Sequence, residues 1–339
     1  MENQHEKLVA LATKNIGDMV SIALEHDDSH KALVIYDTEN ELTEILAEAY
    51  RMVLPKAEFL DFSSLEKEEI IATFDALSPR DLVVLIQSSD FRLNEFRIRI
   101  HLFQQKLKVI DHQHLYRNEP DSWQTYINAL AYDPSWYRHI GIKLKEILST
   151  SEIIQFESGT HTLSISGGVE IPKLNIGDYT GMENIGGTFP IGEVFTEGKD
   201  LSRMNGSLCI YAFAGTDYHI NMHEPFRVDI ENGIVVGWAD NTPDSFEDVV
   251  NQVKTNERAL IREIGFGLNR AITRDHYLKD ITAFERILGI HFSMGEKHTV
   301  YKKAGIVADK TRYHVDLFPV IDRVFADEKL IFENNEYLV

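Results

Sequence analysis

Four short apolar runs separated by helix-length segments constrain the fold of the first 112 residues more than any other feature. The runs are KALVIYD (31–37), AEFLDF (57–62), DLVVLIQ (81–87) and LKVIDH (107–112). Continuous Val, Ile and Leu runs are typical of strands in a parallel sheet that is covered on both faces. Between the runs, residues 39–53 carry apolar side chains at helical spacing, and a helical pattern also fits residues 90–105. The β-α-β-α order predicts an open α/β domain.

The hydrophobic pattern changes after about residue 149. Short, often alternating strands follow, such as SEIIQF, THTLSIS, FRVDI and IVVGW, and Asn232-Gly233 between the last two indicates a hairpin. One helix is predicted after Pro243, because Phe246, Val249, Val250 and Val253 recur at helical spacing behind a capping segment. We therefore predict an α/β domain with a parallel sheet over 1–149 and an α+β, largely antiparallel, metal-binding domain over 150–339.

Composition narrows the function classes. The 339 residues carry a formal net charge of -20, which repels phosphate backbones and anionic lipid, so we expect neither nucleic acid nor a membrane as partner. No run of 18 apolar residues occurs, and MENQHEK lacks the order of a secretory signal, which predicts a cytoplasmic protein. The single Cys209 cannot form an internal disulfide. The phosphate-binding patterns G-x-G-x-x-G and G-x-x-x-x-G-K-[ST] are absent from the sequence.

Four segments of the second half place metal-type side chains on strands whose other face is apolar. In REIGFGLN, alternation puts Glu263 on the same face as two glycines, with Ile264, Phe266 and Leu268 opposite. The same alternation selects Glu193 in IGEVFT, His291 in GIHFSMG, and His314 and Asp316 in YHVDLFP. Two imidazoles and three carboxylates are ligand chemistry for one or two divalent metals. Any one of these acids, taken alone, could be a solvated face residue.

The motifs NIGGTFPIGEVFT, REIGFGLN, ERILGIHFSMG and HVDLF, in that order, resemble the metal-dependent leucyl aminopeptidases of the aminopeptidase T type. The resemblance implies an N-terminal α/β domain, a C-terminal domain with a co-catalytic pair of Zn, Co or Mn ions, and a homodimer acting on small peptides. Matched motif by motif, the metal ligands fall on Glu193, Glu263, His291, His314 and Asp316. Glu193 and Glu263 would also be catalytic.

Two departures point to a compact branch of the same superfamily. His298 stands where the larger peptidases have a tyrosine, and the chain is shorter than theirs. In the peptidase, His298 would donate a hydrogen bond to the oxyanion. The compact branch also includes 2,5-dihydroxypyridine dioxygenases, in which two histidines and an aspartate hold one Fe(II). In that alternative His291, His314 and Asp316 would form the iron site. A third alternative is an assembly protein without metal.

Three further features each leave two interpretations open. His112 and His114, and likewise His219 and His223, could be metal ligands, although a structural role is commoner for such histidines. Arg92, Arg97 and Arg99 form a basic cluster in an acidic protein, either for a salt bridge or for capture of a substrate carboxylate.

Overall fold

The computed structural model describes residues 4–93, 96–255, 258–295, 301, 303 and 313–339. The described part of the first 150 residues contains six α-helices: α1 (Gln4–Asp18), α2 (Glu41–Val53), α3 (Lys67–Asp75), α4 (Ile98–Gln104), α5 (Trp123–Ala129) and α6 (Pro134–Thr150). They also contain four strands: β1 (Ala32–Tyr36), β2 (Glu58–Asp61), β3 (Leu82–Ile86) and β4 (Lys108–His112). A π-helical turn, Met19–Ala23, follows α1, and short 3-10 turns lie at Phe62–Ser64 and Leu115–Arg117.

The remainder of the described chain is mostly strand. Its strands are β5 (Ile153–Ser158), β6 (His161–Ser166), β7 (Lys173–Asn175), β8 (Ile185–Thr188), β9 (Glu193–Thr196), β10 (Met204–Ala214), β11 (Ile220–Glu231), β12 (Ile234–Trp238), β13 (Ile261–Gly267), β14 (Gly289–Gly295), β15 (His314–Pro319), β16 (Arg323–Ala326), β17 (Lys329–Glu333) and β18 (Glu336–Tyr337). Its helices are α7 (Asp244–Lys254) and α8 (Ile281–Phe284), with a 3-10 turn at Leu201–Arg203.

The chain forms two compact units that interleave along the sequence. The first comprises Met1–Arg138, Ile176–Ile191 and Ala271–Ala283, and the second comprises His139–Asn175, Gly192–Arg270 and Phe284–Val339. This division differs from the predicted boundary between residues 149 and 150, since two later segments join the first unit and part of α6 joins the second.

The first unit holds a five-stranded parallel sheet in the order β2-β1-β3-β4-β8. Its strands β3 and β4 are buried throughout, as their short apolar runs predict. Helix α2 begins after Asn40, whose side chain accepts from the backbone N–H of Leu42, and it buries Leu42, Ile45, Leu46 and Tyr50. The four predicted strands and this helix are confirmed.

The structure departs from the sequence pattern of this unit at two places. The segment IGGT, for which no strand is predicted, forms strand β8. Gly186 has a φ of +94°, and a Cβ there would lie 1.9 Å from the carbonyl oxygen of Val109, so glycine is what allows the close pairing with β4. Of the predicted helix over 90–105, the described residues keep only α4. Before α4, the side chain of Gln87 accepts from the N–H of Phe91, and Leu93 forms an antiparallel β-bridge with Phe96 instead of helical bonds.

The second unit holds a thirteen-stranded sheet in which every strand pair is antiparallel. The predicted hairpin is confirmed, since Asn232 and Gly233 both have positive φ, at 50° and 74°, between β11 and β12. Helix α7 buries the predicted Phe246, Val249, Val250 and Val253. A parallel sheet with helices and a large antiparallel sheet thus bear out the mixed fold class. No helix within the described residues has the length and apolarity to cross a membrane.

Candidate metal centre

Four adjacent strands, β15, β14, β13 and β9, bring the predicted ligands to one face of the antiparallel sheet. Along β13, Gly267 pairs with Glu193, Gly265 with His291, and Glu263 with Ser293. Ser293 in turn pairs with Asp316, and Gly295 with His314. Because paired residues point to the same side of a sheet, all five predicted ligands share one face.

Gly265 makes room for the imidazole of His291. A Cβ built on Gly265 would lie 2.0 Å from Cε1 of His291, a distance at which the ring could not keep its position. The φ of Gly265 is not in the left-handed region, so the glycine is required by the neighbouring side chain rather than by the backbone. The alternation of acid and glycine in REIGFGLN is therefore explained: the glycine lies under a histidine from the next strand.

Short distances connect these side chains. Nε2 of His291 lies 3.3 Å from Oε1 of Glu193 and 4.0 Å from Oε1 of Glu263. Nε2 of His314 lies 2.9 Å from Oδ1 of Asp316, which also accepts a 2.5 Å hydrogen bond from Oγ of Ser293. Glu193, Glu263, His291 and Asp316 are buried, and His314 is partly exposed at the edge of the group.

Among the described residues, two overlapping groups of three could each hold a cation. In each group, one donor atom from every residue lies within 4.8 Å of the others: Glu193, Glu263 and His291 form the first group, and Glu285, His291 and Asp316 form the second. His314 belongs to neither group but contacts Asp316 of the second. The structure therefore brings together four of the predicted ligands and places the fifth beside them.

Sequence reasoning missed Glu285 and Arg286. Nη1 of Arg286 lies 2.7 Å from Oε2 of Glu193 and 2.6 Å from Oε1 of Glu285, so a buried guanidinium joins the two acids. Both residues directly follow α8 and precede β14, where no period-two pattern assigns a face. The sequence feature that could have identified them is their place in the motif ERILGIHFSMG, of which they are the first two residues and which also contains His291.

The buried acids shift the pKa values of their neighbours. Burial alone would lower the pKa of His291, but Glu193 and Glu263 raise it to about 10. Burial raises the pKa of Glu285 to about 8, against the opposing effect of Arg286. For Asp316 burial is outweighed by His314 and His291, which hold the pKa of that carboxyl well below its usual range. The group as a whole attracts positive charge.

Unpaired buried atoms show that the residues fit a metal. Both ring nitrogens of His291 and Oε1 of Glu193 are buried and have no hydrogen-bond partner among the described residues. Leaving such atoms unsatisfied is costly, and coordination to a cation would satisfy them. Imidazole and carboxylate donors are also the set that first-row divalent ions prefer.

The other candidate residues lie elsewhere. His298 lies outside the described residues. His112 is fully buried, with Nε2 2.8 Å from the hydroxyl of Tyr50 and Nδ1 2.9 Å from that of Tyr126. His114 lies beyond the strand, next to Asp90. His223 stacks on Phe213, and His219 pairs with Asp217. These contacts favour the structural interpretation for all four histidines.

Comparison with known proteins supports the predicted resemblance at the level of the fold. No protein-family model and no curated protein sequence matches the chain. Among solved structures, 2,5-dihydroxypyridine dioxygenase from Pseudomonas putida aligns with a TM-score of 0.65 and 14% identity, over 99% of this chain and 98% of that one. Wild-type AmpT from Thermus thermophilus aligns with a TM-score of 0.60 and 12% identity, over 97% and 99%. The chain thus has the fold that both of these proteins share.

Proposed function

We propose that the protein is a metal-dependent aminopeptidase that removes N-terminal residues from small peptides. The observation that carries the proposal is the number of converging carboxylates. Glu193, Glu263, Glu285 and Asp316 lie around His291, whereas a single-ion site of the two-histidine type needs only one carboxylate. An acid-rich set of this kind supplies both the bridging and the terminal ligands of a metal pair.

The chain's own residues have distinct tasks in this proposal. Glu193, Glu263 and His291 would hold one ion, and Glu285 and Asp316, with His314 beside them, would hold another. Bound ions would lower the pKa of water and polarise the scissile carbonyl. Ser293 would fix the orientation of the Asp316 carboxylate through its hydrogen bond. Either Glu193 or Glu263 could instead take up the proton of the attacking water, as a general base.

One observation favours a second candidate, a mononuclear Fe(II) ring-cleaving dioxygenase of the 2,5-dihydroxypyridine type. Arg286 already neutralises Glu193 and Glu285 from within the site. If that guanidinium stays in place, it acts as a fixed cation where a second ion would otherwise be needed, and His291, His314 and Asp316 remain for one iron. The two glutamates would then orient the substrate.

Metal content together with paired activity assays tests the proposal. The protein is stripped with a chelator and reloaded with Zn, Co, Mn or, without oxygen, Fe(II), and the bound metal is counted. Two ions per chain with hydrolysis of leucyl p-nitroanilide support the peptidase. One iron with oxygen uptake on 2,5-dihydroxypyridine would transfer the assignment to the dioxygenase.

Glu193→Ala and a surface control separate the site from the rest of the molecule. In the peptidase, Glu193→Ala abolishes hydrolysis and lowers the metal count, whereas Glu224→Gln, at an exposed position of β11, changes neither. Absence of bound metal in every preparation of the wild type would refute both enzymatic candidates.

A further inference from the structure

A cavity of about 510 Å³ opens in the first unit, and none of its lining residues belongs to the candidate metal centre. Its floor includes Leu85 and Gln87 at the carboxyl end of β3, and Asp111 and Gln113 at that of β4. The carboxyl ends of parallel strands are where open α/β sheets bind ligands. The volume is within the range of small-molecule sites.

The walls combine apolar and cationic side chains. Phe91, Phe96, Ile98 and Ile100 supply the apolar surface. The three arginines of the basic cluster, Arg92, Arg97 and Arg99, supply the charge, against two aspartates, Asp90 and Asp111. In a protein with a net charge of -20, an excess of positive charge around a cavity is a local reversal of the overall balance.

Both aspartates are already engaged. Asp111 is buried and accepts from the side-chain amides of Gln87 at 2.5 Å and Gln113 at 2.6 Å, with Nη1 of Arg99 3.5 Å away. Nη1 of Arg99 also donates to Oγ1 of Thr188 at 2.6 Å. These contacts hold the Arg99 guanidinium in place at the cavity wall.

The other aspartate leaves one arginine uncompensated. Asp90 pairs with Arg92 at 3.0 Å and with His114 at 3.4 Å. Arg97 has no charged partner among the described residues and is exposed. Among the described lining residues, the arginines therefore outnumber the aspartates by three to two.

We propose that this cavity binds a small organic oxyanion with an apolar body, such as an aromatic carboxylate. The planar guanidinium groups of Arg97 and Arg99 would pair with the carboxylate or phosphate oxygens, for which their fork of donors is suited. The ring of the ligand would pack against Phe91, Phe96 and Ile98, which a free inorganic anion could not use. The cavity shares no lining residue with the proposed catalytic centre, and binding there needs no metal.

Calorimetric titration of the full-length, chelator-treated protein tests this site without involving the metal centre. Benzoate is the probe, with inorganic phosphate and benzyl alcohol as the ligands that lack the apolar body and the charge, respectively. We expect benzoate to bind, and we expect phosphate and benzyl alcohol each to bind with an affinity that is lower by roughly tenfold or more. Absence of benzoate binding would overturn the proposal. Equal affinities for phosphate and benzoate would contradict the claim that the ligand has an apolar body.

Two variants locate the binding. Arg97→Gln removes the uncompensated charge and should weaken benzoate roughly ten- to a hundredfold. Ile100→Glu places a negative charge at a wall position that is 46% exposed, where it is compatible with folding, and should also weaken benzoate.

Arg80→Gln is the matched control. It makes the same charge change at an exposed position before the amino end of β3, opposite the cavity, and should leave the affinity unchanged. Unchanged affinity in both Arg97→Gln and Ile100→Glu, with unaltered circular dichroism, would place the benzoate elsewhere.

Discussion

His112 in the first unit and His291 in the second are both fully buried, yet their surroundings are opposite. His112 lies between the hydroxyls of Tyr50 and Tyr126, so each ring nitrogen has a neutral partner, and burial lowers its pKa to about 3. His291 lies among carboxylates, neither ring nitrogen has a hydrogen-bond partner among the described residues, and its pKa is raised to about 10.

The difference teaches that burial alone does not identify a histidine as a metal ligand. Ring nitrogens that lack hydrogen-bond partners and lie beside an excess of negative charge do identify one. A buried histidine with two hydroxyl partners is complete without a ligand. A buried histidine among acids requires a proton or a metal ion to balance the charge.

The largest expected effect concerns the neutrality of His112. An unfolded histidine takes up a proton near pH 6.5, whereas the folded His112 does so only near pH 3, so the unfolded state binds more protons between these values. The free energy of unfolding should therefore fall as the pH drops through this window, by up to roughly 5 kcal/mol from this group.

Urea denaturation of wild type and His112→Gln between pH 3 and 8 measures this contribution. The variant should be less stable at pH 7 but lose less stability on acidification, because glutamine does not titrate. His139→Gln, at an exposed position, should keep the wild-type slope. An unchanged slope in His112→Gln would mean that His112 is not held neutral. Neighbouring Asp111, whose pKa burial raises to about 6, has the opposite effect, since its contribution declines as the pH rises from 3.8 to 6.

The second prediction removes the guanidinium from the acidic group. Arg286→Gln leaves Glu193 and Glu285 without their cation, which should destabilise the metal-free protein by about 3–5 kcal/mol. A divalent ion should restore much of that stability by taking its place. Thermal unfolding with and without Mn²⁺ measures both effects. If the wild type binds one ion and the variant binds two, Arg286 is the fixed cation of the single-iron alternative. If Mn²⁺ does not restore the stability of the variant, no cation site lies next to the position of Arg286.

The third prediction fills the space under His291. Gly265→Ala should displace the imidazole, sharply reduce metal binding and destabilise the protein by about 1–3 kcal/mol. Gly237→Ala in β12 is its control, because a Cβ there would make only an ordinary contact, 3.6 Å from Oδ2 of Asp229. Equal metal affinity in both variants would show that the position of His291 does not matter for the ion.

The smallest expected effect concerns support rather than ligation. Ser293→Ala removes the hydroxyl that donates to Asp316 and should lower metal affinity by roughly tenfold while leaving the number of bound ions unchanged. Competition with a fluorescent chelator gives the affinity. A change in the ion count would instead make Ser293 part of the coordination itself.

Much of this comparison was predictable from sequence, because period two in a strand fixes which side chains share a face. That rule found Glu193, Glu263, His291 and Asp316. It could not give the cross-strand register, so the role of Gly265 opposite His291 emerged only from the structure. Glu285 and Arg286 lie before strand β14, where no alternating pattern assigns their side chains to a face. Strand β8 was missed because IGGT lacks an apolar run and depends on close backbone approach at Gly186.

The interleaved path of the chain limits how this molecule can be divided. The parallel sheet takes its last strand, β8, from residues well beyond the first 149, and the chain returns to the first unit once more at Ala271–Ala283. A fragment ending at residue 149 would expose the backbone edge of β4, which invites association with other chains. Neither unit can therefore be cut out or exchanged as one continuous piece of the sequence, because each is assembled from three separate segments.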